Sequence, residues 1–301
     1  LFPGQGAQTL GMGNDLYQES KPAKDIFSQA DEILGYPLTE IIFNGPQNNL
    51  TQTIHAQPAI FTMSIACHRT LEAQRTSLEA NNEPMFLAGH SLGEYTALVA
   101  SNSLSFEEGL QLVRERGRLM QQASDIIPTG MAAILGLDEI TLSEICRATG
   151  TFVSNVNTAE QIVISGAKIP LAHAMDMALL RGAHRAIPLK VSGAFHSDFM
   201  KPAQKEMQVL LSQAPIRDPE IPVIANCTGK PLYTAKEVRE ELSTQLCTCV
   251  QWKKSIESML ELGITSFLEL GPGSTLSGLV KRIDPTIRTQ PLNSLIGIRR
   301  I

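Results

Sequence analysis

Cysteine is scarce and scattered: Cys67, Cys146, Cys227, Cys247 and Cys249 are the five in 301 residues. The number is odd and no C-x-x-C pair occurs, which argues against a disulfide framework and fits a reducing cytosol. Cys247 and Cys249 form a C-x-C with no second ligand pair nearby, so no metal site is expected and both are read as packing residues. No apolar run reaches the roughly 20 residues that span a bilayer, and no signal peptide is visible. A cytoplasmic protein with no membrane partner is the expectation. Positive charge is also in short supply. Lys and Arg number 25 against 30 Asp and Glu, for a net charge of −5, which speaks against an overall basic face and a nucleic-acid partner. Internal repeats and low-complexity tracts are missing. The chain opens at Leu1 inside what reads as a strand end, so it is expected to be trimmed there.

What is present is ordinary globular material, 43% hydrophobic and 18% charged, enough for one large domain and a smaller one. "LFPGQGAQ" reads as a strand end running into a Gly-rich loop, and a helix follows from about Pro22 to Leu34. "AQPAIFTMSIACHRTLEAQ" has helical apolar spacing. "MFLAGH" reads as a short strand and "SLGEYTALVAS" as the helix after it. This alternation predicts a parallel sheet covered by helices, an α/β-hydrolase-like body. From Met131 the rhythm changes to β-α-β-β-α-β: "MAAILGL", "TLSEICRAT", "TFVSNVN", "QIVISG", "IPLAHAMDMALLRG", "HRAIPLKV". That order predicts an inserted ferredoxin-like subdomain over 130–191, with 1–129 and 192–301 forming the catalytic body. "IPVIANCTG" and "ITSFLELGPG" read as further body strands, and the tail "LNSLIGIRRI" is uninformative.

Gly89-His90-Ser91-Leu92-Gly93 is a G-x-S-x-G between strand and helix, the setting of a nucleophile elbow. Ser91 as a nucleophile needs a base and oxyanion donors. The helix behind it offers free N–H groups, Leu92 first. A serine N-cap at a strand–helix junction is the competing reading. Of six histidines, His55, His68, His173 and His184 lie in polar or helical settings without turn chemistry. His90 adjoins Ser91 but points to the other side of an extended segment. His196, in "VSGAFHSDFM", sits in a loop returning from the subdomain and is the candidate base; a solvated loop histidine is the alternative.

Arg116 stands out on the helix "FEEGLQLVRERGRLMQQ". At about 100° per residue, Phe106, Leu110, Val113, Gly117 and Met120 share one arc, and Arg116 falls inside it. A guanidinium there needs a partner, and no acid of this helix shares its face. A distant Asp or Glu, an escape to water, or a bound carboxylate gripped by two N–H groups would each serve.

Three segments, "LFPGQGAQ", "AGHSLGEYTALV" and "VSGAFHSDFMKPA", resemble the malonyl-CoA:acyl carrier protein transacylases and the acyltransferase domains of fatty-acid and polyketide synthases. "RGRLMQ", "GMAAILGL", "QIVISG", "VQWKKSIESM" and "ELGPGSTLSGLVKRI" match in the same order, so the resemblance spans nearly the whole chain. It implies a malonyl group carried from malonyl-CoA on Ser91 to the phosphopantetheine thiol of an acyl carrier protein. His196 would be base and then acid, oriented by a backbone carbonyl assigned to Gln251. The N–H groups of Gln5 and Leu92 would form the oxyanion hole. Arg116 would hold the malonyl carboxylate, Met120 and Phe195 would wall the pocket, and His90 and Asn157 would border it. Phe195 resembles malonyl-selecting members and should obstruct a branch methyl. No bound cofactor is implied, CoA entering as substrate and leaving as product. A carrier protein is typically acidic, so docking needs a local basic patch, for which Arg181, Arg185, Lys281 and Arg282 are candidates beside plain solvated charge.

Two rival functions follow from the same residues. A serine hydrolase would use Ser91 and His196 without a carboxylate clamp, and a silent carrier-docking module would use neither. A monomer is expected. The short span and lack of flanking synthase segments favour a discrete protein.

Overall fold

A computed structural model describes residues 1–74, 84–191 and 193–301. Ser192, where the second body segment is expected to begin, lies outside the described residues. The strands are β1 (Leu87–Ala88), β2 (Thr129–Leu135), β3 (Phe152–Thr158), β4 (Gln161–Ala167), β5 (Arg185–Pro188), β6 (Val223–Ile224), β7 (Pro231–Leu232), β8 (Ser266–Leu270) and β9 (Arg288–Leu292). They form three hydrogen-bonded sets, in the orders β1-β6-β7, β3-β4-β2-β5 and β8-β9.

The first and third sets are stitched together by the opening residues of the chain. The Leu1 amino group donates to Leu268 O at 2.6 Å and Leu1 O accepts Leu270 N at 2.9 Å. On the other side Phe2 N reaches Ala88 O at 2.9 Å and Phe2 O accepts His90 N at 3.0 Å. The resulting order is β9, β8, residues 1–2, β1, β6, β7. β1 with β6 and β8 with β9 run parallel, whereas β7 is antiparallel to β6. The body sheet is therefore mixed rather than wholly parallel. The chain turns back through Gly229 (φ 70), and a tight return of this kind can only make an antiparallel pair.

In the four-stranded sheet β2 pairs antiparallel with β4 and β5, and β3 with β4. Helices Glu139–Thr149 and Lys168–Leu180 connect β2 to β3 and β4 to β5. Side chains alternate along a strand, and both faces of β2 are used. Ala132 and Ile134 join Leu142, Ile145, Leu171 and Ala174 in one cluster under the two helices. Met131 and Ala133 belong to the large core of the body. The small sheet thus shares one face with the body, which brings the loop after β5 close to the elbow.

The centre of the body is the helix Thr53–Gln74, apolar on nearly every side and buried accordingly. Phe61 stacks on Phe106 of the helix Phe106–Ile126 at 5.7 Å. Gly109 permits this closeness, since a Cβ there would lie 2.9 Å from the Phe61 ring. Among the described residues no helix is long and apolar enough to cross a membrane.

Candidate active site

Ser91 sits between β1 and the helix Gly93–Ala100 with φ 53, a left-handed backbone that few serines adopt. The glycines on either side are required by space. A Cβ on Gly89 would stand 1.9 Å from the Gly93 carbonyl carbon, and one on Gly93 would stand 2.1 Å from Phe2 O. Hydrogen bonds hold the strained turn. Ser91 N donates to Asn226 Oδ1 at 2.6 Å, Asn226 Nδ2 to Gly89 O at 2.7 Å, and Gln245 Nε2 to Ser91 O at 2.9 Å.

His196 reaches the serine from the loop after β5. Its Nε2 lies 2.8 Å from Ser91 Oγ and its Nδ1 lies 2.9 Å from the carbonyl oxygen of Gln245. The expectation named Gln251, and this is corrected. Gln245 ends the helix Ala235–Gln245, where a carbonyl lacks its helical partner and is free to accept. Gln251 is engaged elsewhere, its N–H on Asn226 O at 2.8 Å and its carbonyl taking Ser255 N at 2.9 Å. The loop itself is anchored by Ala194 N on Thr129 Oγ1 at 3.0 Å. Burial foremost, and then the Arg116 charge, push the His196 imidazole down to about 3. It is therefore neutral near pH 7 and able to accept a proton.

Arg116 is 1% exposed. It extends from the helix Phe106–Ile126 with Nη2 at 3.1 Å from Ser91 Oγ and 2.9 Å from Gln245 Oε1, and Nη1 at 2.7 Å from Gln57 Oε1. Its guanidinium carbon lies 5.6 Å from the Tyr95 ring centre. Among the described residues no carboxylate pairs with it, and its Nε has no partner. Two neutral amides thus orient a buried cation without neutralising it. The open alternatives at sequence level, a distant ion pair or an escape to water, do not describe this side chain.

Leu92 and Gln5 both lie at the turn. Neither backbone N–H is taken by a protein acceptor among the described residues. Gly4 brings the Gln5 loop against the elbow, since a Cβ there would be 2.4 Å from His90 O, and Gln5 Nε2 is tied to Thr53 Oγ1 at 3.1 Å. His90 Nε2 pairs with Asn157 Oδ1 at 2.9 Å, and its ring lies 5.4 Å from that of Trp252. Met120 and Phe195 are buried, and Met120 Sδ accepts from Gln57 Nε2 at 3.2 Å. Gly193 makes room for the Phe195 ring, which would meet a Cβ at 2.6 Å.

The four candidate docking residues lie on the surface. Arg181 approaches Glu144 at 4.0 Å, Lys281 Nζ donates to Pro285 O at 3.3 Å, and Arg282 Nη1 donates to Gln161 Oε1 at 3.0 Å. Gln161 and Arg185 flank Leu135 from opposite sides in the strand register, so Arg185 and the Gln161 that Arg282 touches lie at the same end of the small sheet, with β2 between them.

Four residues of the site were not foreseen: Gln57, Gln245, Asn226 and Glu94. Gln57 carried a signal, a polar residue on a helix apolar all round. Asn226 and Gln245 act through positions that only the folded chain brings to Ser91.

The whole of this constellation falls within a region, residues 1–294, that matches the model of the acyl transferase domain. The malonyl CoA-acyl carrier protein transacylase of Bacillus subtilis (strain 168) is 42% identical over 294 residues, 96% of this chain and 91% of that protein. The acyl-carrier-protein S-malonyltransferase of Bartonella henselae superposes with a TM-score of 0.95 at 36% identity, over 99% of this chain and 96% of that one. A malonyl-transacylase solved in complex with its type II polyketide-synthase acyl-carrier protein gives 0.93 at 35% identity, over 99% and 96%. With the same architecture along nearly its full length and identity well above what fold alone requires, the chain belongs to the acyl transferase domain family.

Proposed function

We propose that the protein moves a malonyl group from malonyl-CoA to the phosphopantetheine thiol of an acyl carrier protein, through an ester on Ser91. The observation that carries this reading is Arg116, a buried cation oriented by two amides, with no carboxylate hydrogen-bonded to it among the described residues and one N–H directed at Ser91 Oγ. An acyl group that ends in a carboxylate would satisfy it beside the nucleophile; an acetyl group would not.

The steps follow from the hydrogen bonds. The Gln245 carbonyl can only accept, so His196 carries its proton on Nδ1 and presents a bare Nε2 to the Ser91 hydroxyl. Ser91 Oγ attacks the thioester carbonyl as Nε2 takes its proton. The oxyanion forms against the N–H groups of Leu92 and Gln5. Collapse breaks the C–S bond, and the His196 proton leaves with the CoA thiol. The carrier thiol then repeats the exchange, His196 Nε2 taking its proton and returning it to Ser91. Both ends are thioesters, so the transfer is close to thermoneutral. Fixing the malonyl carboxylate on Arg116 leaves little room for a hydrolytic water.

Every group named belongs to one chain, so a monomer suffices, and none of these steps calls for a bound cofactor. Free thiols at all five cysteines agree with a cytoplasmic setting. The buried Phe195 supports selection of malonyl over branched acids. The basic end of the small sheet, with Arg185 and Arg282, is the docking surface for an acidic carrier. We read that sheet as a ferredoxin-like unit, 130–191, set in a hydrolase-like body, 1–129 and 192–301. Its strand order β3-β4-β2-β5 supports the reading.

Intact-protein mass after brief incubation with malonyl-CoA, acetyl-CoA or methylmalonyl-CoA tests the proposal. A malonyl-sized adduct that is lost in Ser91→Ala and is not matched by acetyl is expected. Steady CoA release with no adduct would instead make this a hydrolase. No adduct and no release would leave a docking module.

A further inference from the structure

Glu94 is fully buried in the first turn of the helix behind Ser91. Its N–H donates to Ser91 O at 3.2 Å, and its carboxyl group is hydrogen-bonded to none of Ser91, His196 and Arg116. Its two oxygens take different donors, Oε1 the N–H of Asn226 at 2.8 Å and Oε2 the Nε2 of Gln245 at 2.6 Å. Gln245 Oε1 in turn accepts Arg116 Nη2 at 2.9 Å.

The direction of this chain of bonds is forced. A guanidinium only donates, so Gln245 must turn its oxygen to Arg116 and its NH₂ to Glu94. A backbone N–H also only donates, so the other Glu94 oxygen must accept as well. Burial, and after it the Glu241 carboxyl, raise the Glu94 carboxyl well above its ordinary range against the pull of the Asn226 and Gln245 donors. Each oxygen accepts from a fixed donor, so the carboxyl group sets the Gln245 amide through the geometry of these two bonds.

We propose that Glu94 is a positioning residue for the carboxylate clamp: it helps fix the direction of the Gln245 amide and holds Arg116 through it. This rests on Arg116 being the malonyl clamp. A carboxylate placed directly on Arg116 would compete with the substrate. A carboxylate relayed through an amide leaves the guanidinium open. The same amide donates to Ser91 O at 2.9 Å, so one residue couples the clamp to the elbow.

Glu94→Gln is isosteric and tests the relay. The new side chain offers one oxygen and one NH₂ to two donors, so a donor is left facing a donor. If the Gln245 amide turns to relieve this, its NH₂ faces Arg116. The KM for malonyl-CoA should rise about tenfold or more, and the ratio of malonyl to acetyl loading should fall by a similar factor. Glu269→Gln is the control. Glu269 is also fully buried and takes two backbone donors, Leu276 N at 3.0 Å and Ser277 N at 2.7 Å, with no bond to the relay, and its loss should leave that ratio unchanged. An unaltered ratio in Glu94→Gln, or an equal fall in Glu269→Gln, overturns the proposal. If Glu94→Gln fails to fold, the double variant Glu94→Gln with Gln245→Glu restores one carboxylate to the relay. It should load malonyl poorly relative to acetyl, because the new carboxylate sits on Arg116; wild-type preference in it overturns the proposal too. A wild-type protein that takes no malonyl group at all would overturn the functional reading instead.

Discussion

His196 Nδ1 and the Gln245 carbonyl oxygen are 2.9 Å apart, and no carboxylate among the described residues is hydrogen-bonded to this histidine. A peptide carbonyl carries a dipole and no net charge. It sets the imidazole tautomer as a carboxylate would, yet stabilises the protonated ring less. The site instead keeps a cation, Arg116, close enough to depress the imidazole. Such a base is poised for a thioester, whose thiolate leaves easily and needs little help from a strong acid.

Arg116→Ala should separate binding from reactivity. Removing one partner of a buried charged contact costs about 2–5 kcal/mol, so kcat/KM for malonyl-CoA should fall about 30-fold or more. Labelling of Ser91 by an uncharged serine-directed phosphonate should persist, because Ser91 and His196 retain their 2.8 Å contact. Parallel rates with malonyl-CoA and acetyl-CoA check this. An equal loss for both would mean that Arg116 serves Ser91 and not the carboxylate.

The pH dependence follows from the direction of the His196 shift. The folded imidazole titrates near 3, well below its unfolded value of about 6.5. As pH falls below 6.5 the unfolded chain takes up this proton first. Stability from the buried neutral ring is full above pH 6.5 and is lost progressively toward pH 3. His196→Gln should flatten the fall in Tm between pH 6.5 and 4 relative to wild type. Activity carries a second mark. A malonate on Arg116 neutralises one of the charges that depress His196, so the acid limb of kcat should lie at higher pH than that of kcat/KM.

How far the site could be read beforehand depended on whether its groups are local. The elbow was legible because Gly89, Ser91 and Gly93 adjoin in sequence and their spacing is the constraint. Arg116 was legible because helical periodicity exposes a charge among apolar neighbours. The Gln245 carbonyl was not. It is a backbone atom made available by the end of a helix, an acceptor that no side-chain pattern marks, and the resemblance alone pointed to Gln251. The same contrast holds in the fold. The β-α-β-β-α-β rhythm after Met131 is written in alternating apolar residues. β7 and β9 contain Pro231 and Pro291 and are not among the strands expected from the sequence. They are the outermost strands of the sheet, where a missing N–H is tolerated.

The strained serine gives the last prediction. At φ 53, Ser91 is in the left-handed region, which costs a residue with a Cβ about 1 kcal/mol or more. Its hydrogen bonds to Asn226 and Gln245 come from backbone atoms, so they survive any substitution of the side chain. Ser91→Ala keeps the strain and Ser91→Gly relieves it. Both should be inactive, with the glycine variant the more stable by about 1 kcal/mol, less the entropy a glycine adds to the unfolded chain. Gly93→Ala is the opposite case, since its Cβ would lie 2.1 Å from Phe2 O on the neighbouring strand. It should unfold the body or prevent its folding. Thermal denaturation of the three variants checks the set. If Ser91→Gly proved less stable than Ser91→Ala, the elbow would hold its serine without strain.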